Sequence, residues 1–344
     1  MIKYLSPSLI ACFNESIEEF FLRYVVRVPR PPQTEAMAAG AAFDACCKAY
    51  ILVHKCKSIF DLDGLFLETG QKLEKRKVKY GSDYTPVVFR TDLSDHMNTY
   101  ECLLAESVEM HNIAWARDVG KRIFIDYRDC GALSNLLDDM EPGTCKPIDE
   151  LTLNVERSNV ERSKQGLVLL GKPDLMYVSK RFQLTVVDDW KCNGYVSNRT
   201  VSPTPGYVDS FPQRAMHKNC VLEPGGGMSV NTLPIPEIYK LQLTVYQLLA
   251  KADVVGISQL VFNKDGVMKV AKHRYRVPVS DTKSMLINAQ RVWDACLDYF
   301  SQENIQSPGG GSFAGIINSE RCRQLVEQGK VLRDPKIAAL VGRG

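Results

Sequence analysis

The sequence lacks the cysteine spacing of a zinc ribbon or a clustered iron–sulfur site. It contains 11 cysteines, but no two of them form a CxxC pair, and such pairs usually supply the ligands of both kinds of site. The number of cysteines is odd, and no export signal accompanies them. We therefore expect reduced, mostly buried thiols rather than a disulfide framework.

Long hydrophobic runs are scarce as well. Residues 1–21, MIKYLSPSLIACFNESIEEFF, carry three glutamates and lack the continuous apolar segment of a signal peptide. No window approaches the uninterrupted apolar length of a membrane span. We expect a cytoplasmic protein with no membrane partner.

Neither sign of charge dominates the chain. Charged residues make up 24% of the sequence and the formal net charge is +3 at pH 7, which excludes a strongly basic tail protein. A nucleic-acid partner is not excluded, because local clustering of charge matters more than its sum. With 344 residues and 45% hydrophobic content, the chain can build a sizeable core in one large domain, alone or with a smaller lobe.

The patterning predicts an α/β protein, in the sense of an α+β mixed sheet flanked by helices. Residues 1–145 are predicted as a helical region, with helices over 8–26 and 34–55; the second is dense in small residues and contributes to the core. Residues 146–302 carry β-branched, alternating segments over 151–160, 166–178 and 182–191, which predict consecutive strands. A Pro-, Gly- and Ser-rich loop over 192–236 precedes a helix, and 303–344 form a linker and a short helical tail.

Acidic and basic side chains interrupt the predicted strands around GKPDLMYV and VVDDWK. Residues i and i+2 of a strand face the same side, so Asp189 and Lys191 point together and Trp190 points away. A hairpin can bring Asp174 beside Asp189, and two close carboxylates repel unless a cation lies between them. Such oxygen ligands suit Mg²⁺ or Mn²⁺. A lysine beside the ion can polarise a water for attack on a phosphodiester. Asp188 points to the opposite face, where it either supports the site from behind or faces solvent.

These residues resemble the PD-(D/E)xK nuclease signature, in its RecB-like exonuclease branch. GKPD followed by VVDDWK matches the acidic bend and the acidic-x-Lys strand, and LQLTVYQLL is similar to the branch's QxxxY helix at Gln242 and Tyr246. MAAGAAFDACCKAY is similar to its small-residue helix, although Asp44 stands where the branch usually has histidine. The likeness runs in order over roughly residues 5–300 and implies a restriction-endonuclease-like core with an N-terminal helical region.

The resemblance implies a metal-dependent deoxyribonuclease that leaves a 5′-phosphate. It implies catalytic roles for Asp174, Asp189, Lys191 and Gln242, and Mg²⁺ or Mn²⁺ held by Asp174, Asp189, the carbonyl of Trp190 and, as an additional ligand, Asp44. The iron–sulfur subgroup needs one early and three clustered late cysteines, which this chain lacks, so we expect no cluster. An exonuclease of recombination, repair or replication is the expected role. Stand-alone chains of this kind look like those of phages, which act in the host cytoplasm.

Basic residues are candidates for nucleic-acid contact. Arg214, His217 and Lys218 lie in the 192–236 loop and can form a rim for phosphates, or simply a solvated loop. Tyr246 is the further expected contact. The basic segment KHRYR at 272–276 suits single-stranded nucleic acid, or an ordinary edge strand. Besides DNA, a recombination or single-strand-binding protein is a candidate partner.

A structural interpretation competes with each of these assignments. Pro-Asp is common turn chemistry, and Asp189 with Lys191 can form an exposed pair on an edge strand. The second hypothesis is a catalytically inactive protein of the same fold that binds nucleic acid or assists assembly. The choice between exo- and endonuclease, DNA and RNA, one metal and two, and the oligomeric state stay open.

Overall fold

The computed structural model describes residues 2, 4–25, 28, 31–55, 96–129, 131–145, 151–155, 167–193, 237–262, 268–301, 320 and 324. The described helices are α1 (Pro7–Glu15), α2 (Ile17–Phe20), α3 (Glu35–Lys55), α4 (His96–Ser107), α5 (Met110–Asp129), α6 (Ala132–Asp139), α7 (Glu237–Ala250) and α8 (Val279–Ser301). The strands are β1 (Leu151–Val155), β2 (Leu167–Gly171), β3 (Leu175–Val178), β4 (Thr185–Asn193), β5 (Val254–Phe262) and β6 (Met268–Tyr275).

The chain divides into two compact units that alternate along the sequence. Unit 1 consists of Met1–Pro31, Glu150–Gly171 and Val277–Gly344, and unit 2 consists of Pro32–Asp149 and Lys172–Arg276. The domain boundaries expected at 145 and 302 stay predictions.

Unit 1 contains an antiparallel pair of strands, β1 and β2. The chain near Leu5 adds to this pair, because its backbone N–H donates to Val168 at 2.8 Å and its carbonyl accepts from Leu170 at 2.9 Å. The expected helix over 8–26 is broken at Ser16, which is extended and whose Oγ accepts the backbone N–H of Glu19 at 3.1 Å. Such a cap starts a new helix. The apolar pattern that predicted one helix therefore extends over α1, α2 and a π-helical turn at Phe21–Val25.

Unit 2 contains a mixed four-stranded sheet in the order β3-β4-β5-β6, flanked by helices. β4 and β5 are parallel, and both outer pairs are antiparallel. The prediction of a mixed sheet flanked by helices is confirmed. The expected strand over 166–178 is wrong as one element: β2 and β3 lie in separate sheets. Pro173 lies between them, and since proline has no N–H, it cannot continue a ladder of backbone hydrogen bonds.

Close helix packing explains the small residues of α3. A Cβ added to Gly120 of α5 would lie 2.7 Å from the Cβ of Ala42 and 2.6 Å from the hydroxyl of Tyr100. The two helices therefore approach at a distance that only these small residues allow. The apolar face of α3 joins the main core beneath the sheet.

Among the described residues, α3 alone is long and apolar enough to cross a membrane, where the sequence had predicted no window of that kind. Of its most apolar 18-residue window, 67% is buried inside the fold. It also carries Asp44 and Lys48, which are joined by an ion pair. Length and composition of this kind are shared with the core helices of folded domains.

Candidate active site

Asp174 and Asp189 lie against one another in unit 2, where the bend before β3 meets the middle of β4. Asp174 Oδ2 accepts the backbone N–H of Trp190 at 2.9 Å, which fixes the bend to the neighbouring strand. The two carboxyl groups are close enough that the charge of Asp174 raises the pKa of Asp189.

Lys191 and Gln242 contact the same carboxyl group. The ammonium of Lys191 forms an ion pair with Asp189 Oδ2, as expected for residues one pleat apart on β4. Gln242 of α7 points its Nε2 at both oxygens of Asp189, at 3.4 and 3.5 Å. The same Nε2 lies 3.0 Å from the hydroxyl of Tyr246 one turn later, and that hydroxyl donates to the carbonyl of Lys172 at 3.0 Å. The amide of Gln242 is therefore held at the acidic pair.

Asp44 reaches the pair through a residue that the sequence analysis missed. Lys48 lies one turn after Asp44 on α3, and its Nζ donates to Asp44 Oδ2 at 2.6 Å and to Asp174 Oδ1 at 3.0 Å. The other oxygen of Asp44, Oδ1, is buried without a hydrogen-bond partner in the described structure. The i,i+4 spacing of Asp44 and Lys48 was a readable signal for an ion pair. The contact between Lys48 and Asp174 could not be predicted from the sequence, because it depends on how α3 packs.

Burial and mutual repulsion set the protonation of the three carboxyl groups. Burial raises the pKa of Asp189 to about 8, and the charge of Asp174 adds to this against the opposing ammonium of Lys191. Burial and Asp174 likewise raise the pKa of Asp44 to about 7. Burial acts on Asp174 too, but the ammonium groups of Lys48 and Lys191 outweigh it and lower its pKa. Asp174 is therefore the carboxyl group of the pair that ionises more readily, and Asp189 the one that ionises less readily.

Both lysines are held in their charged form. Burial alone would lower the pKa of Lys48 and of Lys191, but the surrounding carboxylates overcome it and raise both values. The Lys191 ammonium also lies 5.2 Å from the ring centroid of Tyr239 on α7, a cation–π distance. Lys191 in this state donates hydrogen bonds and polarises a neighbour; it does not accept a proton.

Trp190 and Asp188 face the opposite side of the sheet. The Trp190 indole packs edge-on to Phe43 and lies 3.4 Å from the Tyr127 hydroxyl, so only its backbone is turned towards the acidic pair. Asp188 is 1% exposed and forms a two-bond ion pair with Arg274, at 3.0 and 2.9 Å. The interpretation of Asp188 as solvent-facing is therefore wrong.

Arg274 is likewise buried within this ion pair, which leaves its guanidinium unavailable for nucleic acid. Arg214, His217 and Lys218, together with most of the 192–236 loop, lie outside the described residues. The contact of Tyr246 with nucleic acid stays a prediction, since its hydroxyl is engaged within the fold.

The ligand set fits a hard cation only in part. Asp174 and Asp189 offer carboxylate oxygens of the type that Mg²⁺ and Mn²⁺ prefer, and the unpartnered Oδ1 of Asp44 is a further oxygen donor beside them. In the part of the chain that the structure describes, no group of three His, Cys, Asp or Glu side chains forms a ready metal cage. A metal here would rely on the acidic pair, backbone carbonyls and water.

Comparison with known proteins gives no family for the chain. No family model matches it, and neither does any curated protein. A solved structure named SSO0001 aligns at 13% identity over 56% of this chain and 74% of its own, with a TM-score of 0.26. A protein of Eubacterium rectale, provisionally named an exonuclease, aligns at 12% identity over 94% of this chain and 88% of its own, with a TM-score of 0.40. TM-scores this low carry no argument about fold or function.

Proposed function

We propose that the chain is a metal-dependent deoxyribonuclease with a PD-(D/E)xK core, acting as an exonuclease in DNA recombination, repair or replication. The observation that carries the proposal is the close pair of the half-buried Asp174 and the buried Asp189, with the charged Lys191 beside it. Two carboxyl groups forced together in a protein interior are costly unless a cation or a reaction uses them. The role in DNA metabolism rests on the resemblance in sequence motifs.

The metal would be held by Asp174, Asp189 and the backbone carbonyl of Trp190, with Asp44 as an additional ligand. A bound Mg²⁺ or Mn²⁺ would stabilise the negative charge that develops on the phosphoryl oxygens. The raised pKa of Asp189 means that this carboxyl releases its proton when it becomes a ligand, so affinity for the metal rises with pH.

The chain's own side chains would orient the attacking water. The Lys191 ammonium donates hydrogen bonds and favours the hydroxide form of a water beside it. The Gln242 amide, fixed by Tyr246 and by Asp189, offers a second polar contact on the same side. Attack by this water on the phosphorus and departure of the 3′ oxygen would leave a 5′-phosphate, as the resemblance implies.

A catalytically inactive protein of this fold, binding nucleic acid or assisting assembly, is the second candidate function. It is favoured by Lys48, whose ammonium already neutralises Asp44 and Asp174. The intact Lys191 and Gln242 contacts argue against it, because a protein without catalysis has no need for a second buried charge network, which is costly to retain.

DNA is the proposed partner, with Arg214, His217 and Lys218 as candidate contacts and a recombination or single-strand-binding protein as a further candidate. The proposed location is the cytoplasm, or the host cytoplasm for a phage protein.

The test is cleavage of linear duplex, circular duplex and single-stranded DNA with Mg²⁺, Mn²⁺ or EDTA. We expect metal-dependent loss of linear DNA, sparing of the circle, and no cleavage by Asp189→Ala. The matched control is Lys180→Ala, at an exposed lysine of the same unit, which should cleave like the wild type. DNA binding without cleavage under every metal, unchanged in Asp189→Ala, would favour the inactive protein.

A further inference from the structure

We propose that Lys48 is a built-in cation that fills a second cation position at the acidic site and so limits the chain to one divalent metal ion, held by Asp174 and Asp189. The inference rests on the proposed function, because it assumes that the acidic pair is the metal site. It assigns a role to a residue that neither the nuclease signature nor the DNA contacts require.

Lys48 sits where a bridging ion would sit. Its Nζ joins carboxylate oxygens of two separate elements, Asp44 of α3 at 2.6 Å and Asp174 of the bend at 3.0 Å. Its side chain is only 9% exposed, and an ammonium at that depth is stable only when it is paired. Bridging of carboxylates from different elements is the arrangement that a second metal ion takes in two-metal sites.

The formal charges of the cluster match one divalent ion. In the fully ionised form that binds a metal, the three carboxylates of Asp44, Asp174 and Asp189 face the two ammonium groups of Lys48 and Lys191, which leaves −1. One divalent ion brings this to +1, whereas two would bring it to +3 in a buried site. Replacing Lys48 by a neutral side chain lowers the starting charge to −2 and makes room for a second ion.

The carboxylate oxygens that lack a partner support the same conclusion. Asp174 already accepts from Lys48 at Oδ1 and from the Trp190 N–H at Oδ2, so its remaining lone pairs serve one further cation. Asp44 Oδ1 is buried without a partner in the described structure. Once Lys48 is removed, both oxygens of Asp44 and Oδ1 of Asp174 are available as hard ligands for that second ion.

The experiment counts bound ions rather than activity. The wild type, Lys48→Met and the control Lys55→Met, at the end of the same helix, are titrated with Mn²⁺ by calorimetry at pH 8. We expect one ion for the wild type and for Lys55→Met, and two for Lys48→Met. One ion in both the wild type and Lys48→Met would overturn the inference while leaving the proposed function intact, and so would two ions in the wild type.

A second measurement needs no variant, in case Lys48→Met fails to fold with Asp44 and Asp174 unpaired. The electron paramagnetic resonance spectrum of the wild type saturated with Mn²⁺ should show isolated ions. A spin-coupled pair, as given by two ions about 4 Å apart, would overturn the inference. No bound Mn²⁺ at all in the wild type would refute the metal site itself, and with it both this inference and the proposed function.

Discussion

The buried ion pair between Asp188 and Arg274 should be a main determinant of the stability of unit 2. Arg274 is 4% exposed and donates from both Nη atoms to the two oxygens of Asp188. Replacing it with methionine keeps the apolar stem but removes the charge. The carboxylate of Asp188 then stays buried without its ion-pair partner. The hydroxyl of Ser258, 3.2 Å from its Oδ2, is neutral and does not balance the negative charge.

The expected loss follows from removing the ion-pair partner of a buried carboxylate. Removing one partner of a buried pair costs about 3–5 kcal/mol, whereas replacing both partners by apolar groups is often nearly neutral. Arg274→Met should therefore lower the free energy of unfolding by about 4 kcal/mol. The double variant Asp188→Leu, Arg274→Met should recover most of this, with a large coupling energy between the two sites.

Urea denaturation of the single and double variants measures both quantities. Arg276→Met is the matched control, since Arg276 lies two residues further on and is exposed; its loss should stay below about 0.5 kcal/mol. A loss for Arg274→Met as small as that of the control, or a double variant less stable than either single one, would refute the reasoning.

Three further predictions concern the rest of unit 2. Because the pKa of Asp189 is raised to about 8, the folded metal-free protein holds a proton that the unfolded chain releases near pH 4, and it loses stability as pH rises between these values. Asp189→Asn lacks this loss, so without divalent ions its stability relative to the wild type should rise from pH 5 to pH 8 by at most about 1.4 kcal/mol per unit; thermal melts that run parallel across this range would contradict the assignment. Gln259 is 1% exposed and neither polar atom of its side chain has a hydrogen-bond partner in the described structure, so Gln259→Met should raise the urea midpoint by the equivalent of about 1 kcal/mol, and a lowered midpoint would show that the amide has a partner. Gly120→Ala should destabilise by about 1–3 kcal/mol in spite of the better helix propensity of alanine, because its Cβ would meet Ala42 at 2.7 Å; a gain in melting temperature would contradict the packing of α3 on α5.

Local pattern predicted the parts of the fold and site that depend on neighbours in sequence. Alternation along β4 predicted Asp189 and Lys191 on one face and Trp190 on the other, and the structure confirms this arrangement. The small residues of α3 predicted a helix that contributes to the core, and its apolar face is buried there. The break at Ser16 was readable too, since Ser16 and Glu19 have the spacing of a capping box.

Long-range pairing could not be predicted from local pattern. Asp188 and Arg274 meet only because β5 lies between β4 and β6 in the sheet, an order that alternation does not specify. Lys48 reaches Asp174 across 126 positions of sequence. Within GLVLLGKPDLMYV the period-2 pattern continued through Pro173, although the backbone could not, so one predicted strand became β2 and β3.

The most direct test of the account is the single-turnover rate of DNA cleavage by Lys191→Met. The Lys191 ammonium is assigned to the attacking water and not to the binding of DNA, so the variant should bind linear DNA as the wild type does. Its rate with saturating Mn²⁺ should fall by about 10²–10³-fold, the range for loss of one preorganised hydrogen-bond donor, while Lys180→Met retains the full rate. Equal cleavage rates for Lys191→Met and the wild type would contradict the account.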